Sequence, residues 1–141
     1  MSARSGTSRM TPRFGIDTSV VVRLVTGEPQ VEFERCVEKL RSLIEDDGAE
    51  IVVSNQVIGE AYVAVQHHYG VSKTDARAGL LDVLRSGMVA PLNGRAVLAA
   101  LEAREGAGLL DRLIAEEYSH GGLEVLTLDR RMASLPAVRR L

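Results

Sequence analysis

The hydrophobic residues of this chain form short continuous runs separated by longer stretches with helical periodicity. The runs predict buried strands at 13–17, 51–53, 88–90 and 124–128, with a possible fifth at 138–141. Apolar positions spaced three and four residues apart predict helices at 20–25, 30–46, 55–69, 72–85, 93–105 and 109–120. Buried strands alternating with helices are typical of parallel sheets covered on both faces. We therefore expect an α/β protein, a three-layer α/β/α sandwich with a central parallel sheet of four to five strands.

The length and composition predict one domain after a short tail. With 141 residues and 45% hydrophobic content, the chain is long enough to bury a core. Residues 1–12 are mostly polar and lack periodicity, so we expect a disordered tail there and a single domain over 13–141. No apolar run has the length of a membrane span or a signal peptide, which favours a cytoplasmic protein without membrane contact. Cys36 is the only cysteine, which excludes an internal disulfide.

The charge balance argues against a tight, metal-free nucleic-acid binder. The formal net charge is −2, whereas such binding domains usually carry a basic excess. A nuclease is less affected by this argument, because a bound metal neutralises its acidic site. Arginines cluster at 130–131 and 139–140. They suit phosphate contacts, and an ordinary solvated face explains them equally well.

Four acidic residues lie where a predicted element meets a loop. Asp17 and Asp129 each end a hydrophobic run, and Glu60 and Asp111 lie near the starts of two amphipathic helices. A carboxylate next to a core is costly unless it is paired, hydrated or neutralised. Carboxylates are good ligands for hard cations such as Mg²⁺ and Mn²⁺. In open α/β sheets, sites gather beyond the carboxyl ends of the strands, where these acids are expected. Together they predict a metal centre.

Neighbouring hydroxyl groups are candidates to orient two of these acids. Asp17 could instead be a helix cap, but Thr18 and Ser19 already provide capping groups, and Ser19 is placed to orient Asp17. In a strand, residues two positions apart point to the same side, so Thr127 is placed to orient Asp129. A turn-forming aspartate is the simpler alternative at this second position.

The two helical acids also have simple alternative explanations. Glu60 falls about 60° outside the apolar arc of its helix, where a solvated surface glutamate is ordinary. Asp111 lies in a first helical turn, where the helix dipole favours an acid. Glu117 projects towards the apolar side of the same helix. We leave open whether Glu117 is an additional acid at the cleft or the partner of a buried arginine.

The ordered set of acids resembles the PIN domain, and among PIN domains the VapC-type toxins of prokaryotic toxin–antitoxin systems. The resemblance rests on Asp17-Thr18-Ser19, on Glu60 in the helix after the second strand, on the segment Asp111–Ala115, and on Thr127-Leu128-Asp129. It covers essentially all of the chain after residue 12. In place of the aromatic–small pair common before the third acid, this chain has Leu109-Leu110. That difference concerns local loop geometry and not the acid.

The resemblance implies an Mg²⁺- or Mn²⁺-dependent endoribonuclease that leaves 5′-phosphate and 3′-hydroxyl ends. It also implies a homodimer and a small VapB-type antitoxin whose C-terminal segment covers the active-site cleft. We expect Asp17, Glu60, Asp111 and Asp129 to hold one or two divalent ions. The general base remains open between Glu60 and Asp129. Because clustered carboxylates repel one another, we expect a raised pKa for at least one of them without metal.

Three other functions are possible. A catalytically inactive PIN-like binding or scaffold subunit would be expected to lack a member of the acid set, and none is missing. A haloacid-dehalogenase-like phosphatase needs a second aspartate two positions after the first, where this chain has Ser19. A metal-free ribonuclease would use paired histidines, but His67 and His68 are helix neighbours that face different directions. We take these histidines and His120 as structural or exposed.

Overall fold

The computed structural model describes residues 11–141, which contain six α-helices, one short 3-10 helix and five β-strands. In chain order these are β1 (Arg13–Gly15), α1 (Thr18–Thr26), α2 (Gln30–Asp47), β2 (Glu50–Val53), α3 (Asn55–Tyr69), α4 (Lys73–Arg85), β3 (Ala90–Pro91), α5 (Arg95–Glu102), α6 (Leu109–His120), β4 (Val125–Thr127), the 3-10 helix (Met132–Ser134) and β5 (Val138–Arg140). None of these helices has the length and apolarity needed to cross a membrane. The predicted α/β class is confirmed.

The strands pair in parallel but form two separate groups within the described residues. The order β1-β2-β3 makes a three-stranded sheet, in which Phe14 lies opposite Ile51. Strands β4 and β5 make a second parallel pair, with Val125 opposite Val138. The strands are parallel, as predicted. They do not form one sheet of four to five strands, because β4 and β5 do not pair with β1, β2 or β3. Apolar runs identify strands, whereas they do not specify which strand pairs with which.

The third strand differs from its predicted position. It covers Ala90–Pro91 and not 88–90, and Pro91 lies opposite Val53. We expected Pro91 to stop the strand. Proline has no backbone N–H to donate, but β3 is the edge strand of its sheet, where that donor is not needed. The next residue, Leu92, donates its backbone N–H to the Val53 carbonyl over 2.8 Å.

The main core lies where the helices pack around β2. Residues with at most 2% exposure include Ile51, Val53, Ile58, Leu80, Leu101 and Leu109. Helix α1 packs against α2, α3 and α4, while α6 packs against α3 and α5. A smaller cluster of Ala115, Val125 and Met132 attaches the second sheet to α6. Helix α3 is therefore the element that joins the N-terminal helices to α6.

Two helical glycines allow this close packing. A Cβ at Gly79 would lie 2.8 Å from Val25 Cγ1, so α4 approaches α1 too closely for any side chain. A Cβ at Gly59 would lie 3.2 Å from Leu110 Cδ2, which is a tight but milder contact between α3 and α6. Overpacking such contacts forces neighbouring atoms to shift, at a cost of typically about 1–3 kcal/mol.

The predicted tail is partly outside the described residues, which begin at residue 11. Pro12, which we placed in the tail, accepts a 2.8 Å hydrogen bond from the backbone N–H of Glu50. This bond extends the pairing of β1 with β2 by one step. The boundary after residue 12 stays a prediction.

Candidate active site

Asp17 lies at the junction of β1 and α1, at the carboxyl end of the strand. It is the N-cap of α1, and its Oδ1 accepts from the Val20 backbone N–H at 3.3 Å. The expectation that Thr18 and Ser19 would cap the helix is therefore wrong, because the helix begins at Thr18 itself. Ser19 Oγ donates to Asp17 Oδ1 over 2.6 Å. The carboxylate is thus held in one orientation by two donors while it remains exposed to solvent.

Glu60 is joined to this junction by the residue next to Asp17. Thr18 Oγ1 donates to Glu60 Oε1 at 2.6 Å, across the packing of α1 on α3. The second oxygen, Oε2, accepts from Gln56 Nε2 at 3.3 Å, one helical turn earlier. Because Asp17 and Thr18 are consecutive, this bond brings two of the four predicted acids to the same edge of the three-stranded sheet.

Asp111 lies in the first turn of α6 and is half-buried. The N-cap, Gly108, makes no side-chain hydrogen bond to the helix. Leu110 is the residue that contacts Gly59, and Glu60 and Asp111 are the next residues along the two helices. The backbones of Glu60 and Asp111 therefore lie near the point where α3 and α6 pack against each other.

Asp129 follows β4 and organises the turn behind it. Its Oδ1 accepts from the backbone N–H groups of Arg131 at 2.7 Å and Met132 at 3.0 Å. Thr127 Oγ1 accepts from the Asp129 backbone N–H at 3.0 Å, so Thr127 contacts the main chain and not the carboxylate. The Arg131 guanidinium donates to the Gly106 carbonyl at 2.5 Å. This bond ties the turn to the loop that leads into α6.

The donor chemistry fits a hard cation, but the acids are only partly assembled. Asp17, Glu60 and Asp129 are exposed carboxylates with oxygen donors of the type that Mg²⁺ prefers. Within residues 11–141, however, no three or more acidic, histidine or cysteine side chains are grouped closely enough to hold a metal ion. The structure pairs Asp17 with Glu60 through Thr18, and it does not add Asp111 or Asp129 to form a group of three.

The two paired acids have lowered pKa values. The hydrogen bond from Ser19, followed by that from the Val20 N–H, lowers the pKa of Asp17 below its usual range. The hydrogen bond from Thr18, followed by that from Gln56, lowers the pKa of Glu60 in the same way. The expectation of a raised pKa is wrong for these two residues, because hydrogen bonds to the ionised form outweigh desolvation, which acts in the opposite direction. Both are ionised at neutral pH and ready to accept a cation.

A partly buried amide–carboxylate network near the same sheet edge was not foreseen. Asn55 follows β2 closely and donates through Nδ2 to the Leu113 carbonyl at 3.0 Å and to Glu116 Oε1 at 2.7 Å. Asn93 follows β3 and donates to Glu116 Oε1 at 3.0 Å and to Glu117 Oε1 at 3.1 Å. Glu117 therefore receives an amide and not an arginine. The sequence feature that could have indicated this network is an asparagine two positions after the end of β2 and of β3.

Comparison with known proteins identifies the family. A family model described as PIN domain matches residues 15–138, which is most of the chain and contains all four acids. The chain belongs to the PIN domain family. Curated proteins and solved structures gave no match. PIN domains are generally nucleases, hydrolases that use divalent metals, which indicates a nuclease-type function for this chain.

The Thr18 hydroxyl should control the ionisation of Glu60. Replacing Thr18 by valine (Thr18→Val) removes a donor to the ionised carboxylate, so the pKa of Glu60 should rise towards the ordinary glutamate value. A lowered folded-state pKa stabilises the protein at neutral pH, and that stability is lost as the pH falls through the folded pKa. In the variant, protonation should therefore begin at a higher pH, as an NMR titration of the Glu60 carboxyl carbon would show. Thr74→Val, on exposed α4, should leave that titration unchanged; an unaltered Glu60 curve in Thr18→Val would contradict the assignment.

Proposed function

We propose that this protein is a metal-dependent endoribonuclease and acts as the toxin of a VapBC-type toxin–antitoxin system. The observation that carries the proposal is the hydrogen-bonded unit of Asp17, Thr18 and Glu60 at the carboxyl edge of the three-stranded sheet. Two ionised carboxylates held together at that edge have no role in the core. Membership of a family that generally consists of nucleases supports the catalytic part of the proposal.

Each acid has a role in the proposed metal centre. Asp17 and Glu60 bind the cation, because hydrogen bonds keep both ionised and oriented. Asp111, in the first turn of α6, and Asp129, in the turn after β4, would join them when the ion binds, since no three acids are grouped in the described residues without it. A divalent ion held by these residues would supply Lewis-acid chemistry at the scissile phosphate. Glu60 or Asp129 would accept the proton of the attacking water.

The partner part of the proposal uses an apolar groove between α3 and α6. The groove has a volume of about 1130 Å³, and its wall includes the exposed side chains of Val63, Leu110, Ile114 and Tyr118. Exposed apolar residues grouped on one surface are typical of protein interfaces. We assign this groove to a homodimer. The VapB-type antitoxin covers the acidic edge and blocks the substrate.

Cleavage of RNA by the purified protein, freed of any antitoxin, tests the catalytic role. A labelled structured-RNA pool should be cut in Mg²⁺ or Mn²⁺ and remain intact in EDTA. Asp17→Asn should lower the rate by at least about a hundredfold, because it removes a charge that binds the metal. Asp47→Asn, at the exposed end of α2, is the matched control and should cut like the wild type. A folded wild type that cuts in no metal would favour the inactive scaffold, and equal cutting by Asp17→Asn would exclude the proposed site.

The oligomeric state tests the groove. Light scattering coupled to gel filtration should give a dimer for the wild type and half that mass for Ile114→Glu, because a charge in an apolar interface is strongly unfavourable. Val31→Glu changes another exposed apolar residue, on α2 and outside the groove, and should remain dimeric. A monomeric wild type, or an Ile114→Glu variant that is still a dimer, would contradict the assignment.

A further inference from the structure

A second pocket, separate from the apolar groove, is strongly basic. It lies between α4, the end of α5 and the loop before α6, and its volume is about 640 Å³. Among residues 11–141, five cationic side chains and one carboxylate, that of Glu102, line it; the cations are Lys73, Arg77, Arg85, Arg104 and Arg131. The whole chain has 17 lysines and arginines against 19 acids. The pocket is therefore a local concentration of positive charge on an otherwise slightly acidic protein.

Three of the five cations are held in place by contacts to the fold. Arg77 donates to the carbonyl of Ala103, and Arg131 donates to that of Gly106. Arg85 forms an ion pair with Glu102. A guanidinium has five N–H donors in a planar fork, so these bonds fix its position and leave further donors for a ligand. The wall of the pocket is pre-ordered, which lowers the entropy cost of binding.

The other two cations carry uncompensated charge. Lys73 and Arg104 are exposed, and neither makes an ion pair in the part of the chain that the structure describes. Like charges held close together repel one another, which is unfavourable unless a counter-charge is bound. The set of cations therefore fits an anionic ligand that has several charges.

The pocket is continuous with the acidic residues along the chain. Arg131 lines the pocket, and its backbone N–H binds the carboxylate of Asp129. Gly106, Ala107 and Gly108 also line it and lead directly into α6, whose first turn carries Asp111. The lining of the pocket thus includes residues within three positions of two of the four acids.

We propose that this basic pocket binds the phosphodiester backbone of single-stranded RNA and guides it to the acidic edge. Arginine forks match phosphate oxygens, and backbone contacts of this kind position a strand without reading its sequence. Aromatic residues make up only 4% of the chain, so base stacking offers few contacts, and charge has to provide the binding. This inference rests on the proposed nuclease function, since the bound RNA is the substrate of the acidic site.

Binding measured without catalysis tests the pocket. The full chain in EDTA is titrated against a fluorescein-labelled oligouridylate of about twelve nucleotides, followed by anisotropy at several salt concentrations. The double variant Lys73→Gln/Arg104→Gln should bind about tenfold more weakly. The slope of log affinity against log salt concentration should become shallower by about 1.4, because two phosphate contacts are lost and each contributes about 0.7. The variant removes no contact of the fold, and its thermal melt should match that of the wild type. Arg35→Gln/Lys39→Gln on exposed α2 removes the same charge elsewhere and should bind like the wild type.

The outcomes separate this inference from the proposed function. Unchanged affinity and slope in Lys73→Gln/Arg104→Gln, or equal losses in the α2 control, would overturn the pocket even if the protein cuts RNA. Displacement of the RNA by polyglutamate at equal charge would overturn its assignment to a phosphodiester backbone. If only the pocket variant loses binding, and the wild type cuts RNA in no metal, the pocket would be supported as an RNA-binding site and the nuclease function would be refuted. In an active protein, the variant should raise KM with little change in kcat.

Discussion

The packing of α1 against α3 is the constraint on which the candidate site depends. Helix α1 begins directly at the end of β1, so Asp17 is forced to the edge of the sheet as its N-cap. The Thr18 hydroxyl then binds Glu60 on α3, and Gly59 brings α6 against the same helix. A hydrogen bond thus joins the start of α1 to the central helix. Without this contact, Asp17 and Glu60 would be two unrelated surface acids.

The acidic edge and the basic pocket carry opposite charges and have different proposed roles. At the acidic edge, neutral donors keep Asp17 and Glu60 ionised, so the negative charge is available for a cation. In the basic pocket, Arg77 and Arg131 use part of their donors on loop carbonyls and keep the rest for an anion. Arg131 connects the two regions, because its main chain binds Asp129 and its side chain holds the loop before α6. A net charge near zero is therefore compatible with one acidic and one basic site on the same domain.

Periodicity and apolar runs were sufficient to predict the α/β class, the six helices and the parallel direction of the strands. They did not predict features that depend on residues distant in the sequence, such as which strands pair with each other. A short apolar run such as Val125–Thr127 does not specify its neighbouring strand, and Pro91 is acceptable only because β3 lies at an edge. The acids were predicted from their positions at element ends. The Thr18–Glu60 bond spans 42 residues, and the cations of the pocket come from α4, from the loop after α5 and from the turn after β4, so no local pattern indicates either.

The central claim is that Asp17, Glu60, Asp111 and Asp129 hold one divalent-metal centre. Paramagnetic Mn²⁺ broadens the NMR signals of nuclei near its binding site, and a titration of the ¹⁵N-labelled protein would locate that site directly. The account predicts that amide signals around all four acids are lost together at low Mn²⁺, and that Asp17→Asn abolishes this loss. Broadening confined to other acids, such as Asp46 and Asp47 at the end of α2, would contradict it. So would signals around Asp129 that remain sharp while those around Asp17 disappear.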